Sequence, residues 1–83
     1  MPDDELIAAY VEPESYRAGV EEVRLVKYGV PVWALIAHWR VVGADADAVA
    51  RDYDLPRQAV EAALAYYGRH GPAIDARIAA NAA

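Results

Sequence analysis

The sequence predicts a mainly α fold: a three-helix helix-turn-helix unit preceded by a short β segment, with short N- and C-terminal helices. Three observations carry this. Apolar residues from Val32 to Leu64 recur at helical spacing, Gly43, Asp45 and Asp54-Leu55-Pro56 cut that stretch into three, and a β-branched run precedes it. A single domain over 1–83 is expected, divided into an acidic N-terminal arm (1–22), a β segment (23–31), the helix-turn-helix unit (32–70) and a terminal helix (72–82).

Pro2-Asp3-Asp4-Glu5 opens a short helix, with Pro early and acids in the first turn, and Glu12-Pro13-Glu14-Ser15 breaks it. Between Val20 and Val30, Val23, Leu25, Val26, Tyr28 and Val30 alternate loosely with charges, which suits one strand or a ragged hairpin. Such a strand must pair locally or with another copy. Helix one, Val32 to Val42, carries the stripe Val32, Leu35, Ile36, Trp39, Val42, and Gly43 stops it. Asp45 is the expected N-cap of helix two, Ala46 to Tyr53, which buries Val49, Ala50 and Tyr53. Asp54 is expected to cap helix three, with Pro56 in its first turn. That helix runs to about His70, burying Val60, Ala63, Leu64 and Tyr67, and Gly71-Pro72 ends it. A last Ala-rich helix places Ile74 and Ile78 on one face; too short to persist alone, it must dock on this domain, a second copy or a partner.

The chain has 83 residues, no Cys and a net charge of -5. Disulfides and thiolate metal sites are therefore excluded. No apolar run suggests a signal peptide or a membrane span, so a cytoplasmic protein is expected. The acidity is uneven. Residues 1–22 hold seven acids against Arg17, whereas 23–83 hold six acids and seven bases. The helical body is thus close to neutral, which neither demands nor forbids DNA contact, and a lone copy would bind DNA weakly.

Ala50, Asp54, Val60 and Ala63 stand at the offsets of a helix-turn-helix, with Asp at the turn position that most often holds Gly. An ordinary three-helix bundle is the plainer alternative. On the outward face of helix three, Arg57 suits guanine or phosphate and Gln58 suits adenine, with Arg51 and Arg40 flanking. Glu61 shares that face and would repel phosphate, so the DNA-side candidates are Arg51, Arg57, Gln58 and Glu61. No catalytic constellation is present: His38 and His70 lie on different helices, and Asp45 and Asp54 read as caps rather than metal ligands. No enzyme activity, metal or cofactor is expected. Trp33 and Tyr66 fall off their helices' buried stripes; with Ile74 and Ile78 they are candidates for partner contact.

The runs Gly29-Val30-Pro31-Val32-Trp33-Ala34-Leu35-Ile36, Ala48 through Pro56, and Val60-Glu61-Ala62-Ala63-Leu64-Ala65-Tyr66-Tyr67 resemble the bacterial family known as domain of unknown function 433. The resemblance covers about Val23 to His70. Upstream of Pro31 the chain departs from the family's usual Gly-Thr-Arg step, reading Lys27-Tyr28-Gly29. The resemblance implies a homeodomain-like three-helix unit after a short β segment. It also implies an antitoxin of a type II toxin–antitoxin pair, partnered with a PIN-like ribonuclease toxin. On that footing Arg77 joins the partner-side residues, since a basic side chain would neutralise an acidic nuclease site. Such a protein would be a homodimer with an operator-binding face. The rival expectation is a helical protein-interaction module that never touches DNA.

Overall fold

The computed structural model describes residues 2–82 and contains four helices: α1 (Asp3–Tyr10), α2 (Val32–Val41), α3 (Ala46–Tyr53) and α4 (Arg57–Ala82). Short 3-10 turns at Glu14–Tyr16 and Val20–Glu22 link α1 to the segment before α2. The other three helices gather around α4, whose Ala59, Val60, Ala62, Ala63, Tyr66 and Ile74 are buried among them. Ala59, Ala62 and Ala63 are the small members of this buried set, near the start of α4, and Val60, Tyr66 and Ile74 the large ones. Leu6, Val23, Leu25, Val32, Leu35, Ile36 and Val49 supply the facing side of the core.

The acidic stretch 1–22 does not stand off as an arm. Asp3, Asp4 and Glu5 occupy the first turn of α1, where the helix dipole favours them, while Leu6 and Val11 enter the core. Three of its acids then find bases on α4: Asp4 pairs with Arg69, Glu14 with His70 at 2.7 Å, and Glu22 with Arg77 at 2.7 Å. These contacts tie the acidic stretch to α4, while Asp3, Glu5 and Glu21 have no ion-pair partner among the described residues.

The β segment expected over 23–31 forms no strand. Lys27 and Gly29 both take φ of +72°, so the chain reverses before a ladder can grow. Two isolated antiparallel bridges remain, Val11 with Leu25 and Arg24 with Pro31. Their hydrogen bonds run within the chain: Val26 N–H donates to Tyr10 O at 2.9 Å and Leu25 N–H to Val30 O at 2.8 Å. Burial of Val23 and Leu25, not sheet formation, explains the β-branched pattern.

α2 starts after Pro31 and ends where Gly43 and Ala44 adopt left-handed backbone. Asp45 caps α3 as expected, its side chain accepting the Ala48 N–H at 3.1 Å. Asp54 has a different job from the one expected. At φ 55°, ψ 51° it is the left-handed C-cap of α3, and Leu55 N–H returns to Ala50 O at 2.8 Å. Tyr53, expected in the core, is exposed; Ala46 and Ala48 are buried in its place.

α4 is two helical stretches that meet at a break, where the sequence places the end of helix three and the start of the terminal helix. His70 (φ −128°, ψ 32°) kinks α4 just before Gly71-Pro72, and the helix then resumes. Pro72 lacks an N–H and its ring crowds the preceding turn, which accounts for the bend. The far half is held by Ile74 in the core and by Arg40 of α2, which donates to Tyr67 Oη at 2.6 Å and pairs with Asp75. Tyr67 in turn donates to Asp75 Oδ1 at 2.7 Å, and this hydrogen bond with Arg40 beside it holds the Asp75 carboxyl below its ordinary range. Arg40 is therefore committed to this network and does not flank the face of helix three. No helix is long and apolar enough to cross a membrane among the described residues.

Candidate interaction surfaces

Two surfaces concentrate the candidate residues, and they differ in how much of their charge is free. The first is the outer side of α3, the Asp54-Leu55-Pro56 turn and the start of α4. Arg57 projects here but is bracketed by carboxylates: it pairs with Asp47 and lies 3.7 Å from Glu61 Oε1, one helical turn on. Gln58 Oε1 accepts the Tyr10 hydroxyl at 3.1 Å. Asp52 holds His38 at 2.8 Å, and the His38 ring meets Tyr53 edge-on at 5.4 Å. Arg51 is exposed and, among the described residues, has no carboxylate partner. The surface therefore presents Asp47, Asp52, Asp54 and Glu61 against Arg51 and Arg57, a negative balance. Ala62, next to Glu61, is fully buried and adds nothing to this face.

The second surface is a cleft of about 290 Å³ lined by Arg17, Glu22, Arg24, Pro31, Trp33 and Arg77. Four stretches build it. The 3-10 turns carry Arg17 and Glu22, the reversal before α2 carries Arg24 and Pro31, and Trp33 on α2 faces Arg77 on α4. The Arg77 guanidinium lies 4.3 Å from the Trp33 ring centroid while its Nε donates to Glu22 Oε1 at 2.7 Å. Stacking and ion pairing thus fix one planar cation against one wall.

On the other side Arg17 grips Glu12 with two hydrogen bonds, Nε to Oε1 at 2.8 Å and Nη2 to Oε2 at 2.9 Å. The Arg24 backbone N–H donates to the same Glu12 Oε1 at 2.9 Å. The Arg17 fork, partly opposed by burial and helped by the Arg24 amide, lowers the Glu12 carboxyl from its ordinary 4.5 to about 2. Glu12 in turn raises the Arg17 pKa. The Arg24 guanidinium is left with one marginal contact, Nη1 to Gly29 O at 3.5 Å, and no carboxylate partner among the described residues.

The partner-side candidates divide accordingly. Trp33 and Arg77, 44 positions apart, meet in the cleft. Tyr66 and Ile74 do not face out at all: they are 1% and 0% exposed, so neither is available to a partner on this fold. Ile78 is partly buried against the core. Arg77 is already stacked and paired, so reaching into a partner's site would mean releasing Glu22. Arg17, Arg24, Glu12 and Glu22 were missed as site residues, because nothing in their spacing announces that the one connection between α1 and α2 folds them against Trp33 and Arg77.

The family model described as "Protein of unknown function (DUF433)" matches residues 22–67, more than half of the chain. The match takes in Arg24, Trp33, the α3–α4 turn and Tyr66, and stops short of Arg77. No curated protein matches, and no solved structure matches.

Proposed function

The chain belongs to the DUF433 family, and from that premise we propose that it is an antitoxin-like protein whose main task is to bind and neutralise a partner protein of the PIN-like ribonuclease kind in the cytoplasm. The observation that carries the protein-binding half is the state of the α3–α4 surface. Arg57 is neutralised by Asp47 and Glu61, and Gln58 is engaged by Tyr10. A DNA reader needs those groups free and a positive surface around them, because phosphate contacts supply much of the affinity. The cleft at Trp33 and Arg77 has the reverse character, with arginine in excess beside an indole, which suits an acidic protein surface.

In this reading α2, α3 and the first half of α4 form a homeodomain-like unit, supported by the left-handed Asp54 turn and by Val60 and Ala63 packing inward. Operator binding is the secondary role. It would require a homodimer, with Arg51 as the cation on each copy that need break no ion pair. The rival is a helical interaction module with no DNA role, which keeps the same cleft.

Co-expression with the product of the adjacent gene tests the proposal. A stable co-purifying complex in which that product's ribonuclease activity is suppressed supports it; no complex removes it. A gel shift with upstream DNA over a salt series separates the two versions. A specific, salt-sensitive shift lost in Arg51→Glu supports the operator role, and its absence leaves the interaction module.

A further inference from the structure

We propose that the cleft of Arg17, Arg24, Trp33 and Arg77 is a carboxylate-binding site that takes one acidic side chain from a peptide segment of the partner, with Arg24 as the residue that engages it. The chemistry stands on the cleft alone; the source of the carboxylate rests on the partner-protein reading above.

Three guanidiniums and the Glu22 carboxylate line the cleft, and Glu12, outside the lining, neutralises Arg17. Arg17 holds Glu12 through two nitrogens, and Arg77 holds Glu22, with both Glu22 oxygens within 3.3 Å of its Nε. Guanidinium and carboxylate are thus already paired twice in this space, once through two nitrogens at Arg17 and once through the single Nε of Arg77. The third guanidinium, Arg24, lacks such a partner, and its only contact is the 3.5 Å approach to Gly29 O. One positive charge is therefore left over, in a protein whose overall charge is -5.

That surplus selects the ligand. A single carboxylate carries one negative charge and closes the account, whereas a phosphomonoester carries about −1.5 to −2 and would leave the cleft negative beside Glu12 and Glu22. Size points the same way. A volume of about 290 Å³ lies at the bottom of the range for small-molecule pockets and suits one side chain better than a cofactor. Pro31 and the Trp33 indole offer an apolar wall for the methylenes of an incoming Glu or Asp. The Arg77–Glu22 pair is about a third exposed, so an entering carboxylate can share or exchange with it cheaply.

The test is an NMR titration of the ¹⁵N-labelled full chain with hexaglutamate, reading the Arg24 Nε–H and Trp33 indole N–H signals. Hexalysine and inorganic phosphate at matched ionic strength serve as comparisons. Saturable shifts of both signals with hexaglutamate are expected, weakened about tenfold or more in Arg24→Gln and unchanged in Arg69→Gln. Arg24 is exposed and the hydrogen bond to Glu12 comes from its backbone N–H, not its side chain, so the variant keeps the fold. Equal shifts with phosphate, or hexaglutamate binding untouched by Arg24→Gln, overturn the proposal. Hexaglutamate binding without a co-purifying partner upholds the site and removes only the partner reading. A complex insensitive to Arg24→Gln, with no hexaglutamate shift, overturns the site and leaves that reading standing.

Discussion

Tyr66 donates its hydroxyl to the carbonyl of Val20 at 2.6 Å, joining the middle of α4 to a turn 46 residues earlier. The same ring lies 4.5 Å from His70 at the kink, so one buried tyrosine braces both the N-terminal turns and the bend in α4. Tyr66→Phe should cost about 1–2 kcal/mol by leaving the bond unmade, read as a lower urea midpoint with an unchanged slope.

The same hydroxyl should betray itself in alkali. Burial, with Glu14 and Glu21 adding, pushes its pKa from 10 up to about 12. A folded pKa above the unfolded one means the contribution is whole below about pH 10 and is lost as pH rises through 12. Absorbance at 295 nm should show a late step among the six tyrosines, missing in Tyr66→Phe.

Glu12 gives the opposite sign. Its folded pKa, about 2 with Arg17 gripping it, lies below the ordinary 4.5, so its contribution is present above pH 4.5 and lost as pH falls through 2. Glu12→Gln should be less stable at pH 7 and show a shallower decline in urea midpoint on acidification. The slope that remains belongs in part to Asp75, lowered by Tyr67 and Arg40.

Asp54 sits in left-handed backbone at φ 55°. Glycine adopts that region without a Cβ penalty, so Asp54→Gly should stabilise by about 0.5–1 kcal/mol, seen as a higher Tm. A lower Tm would show that the Asp side chain contributes more than the strain costs.

Ile74 decides whether the far half of α4 belongs to the core. It is fully buried, so Ile74→Ala should cost about 2–5 kcal/mol in the isolated protein. A loss confined to the complex would instead make it a partner residue.

The elements with local signals were legible. The bounds of α3 were readable because Asp45 can cap it and Asp54-Leu55-Pro56 cannot continue it. The α2 stripe was legible because that helix buries one face. α4 defeated the same logic: α1, α2 and α3 cover several of its sides, so Tyr66 and Ala62 are buried as well as Val60 and Ala63. A reading that assumes one buried stripe placed Tyr66 outside for that reason.

Gly71-Pro72 was legible as a break because locally it is one, and His70 is non-helical there; Ile74 and the Arg40–Tyr67–Asp75 network are what dock the second stretch on this domain. Lys27-Tyr28-Gly29 marked a real departure, and positive φ at Lys27 and Gly29 turns the expected β segment into a reversal.

By itself the sequence determined the helical class, the Asp45 cap and the α3–α4 turn, since these depend on residues a few positions apart. Only the tertiary structure decided which charges are free. Arg57 and Arg77 look alike along the chain, yet Asp47 and Glu61 neutralise the first, while Trp33 and Glu22 hold the second at the rim of a cleft. Arg24 is left as the cleft's unmatched cation because Glu12 is drawn to Arg17, and that pairing depends on how the loops close around α4.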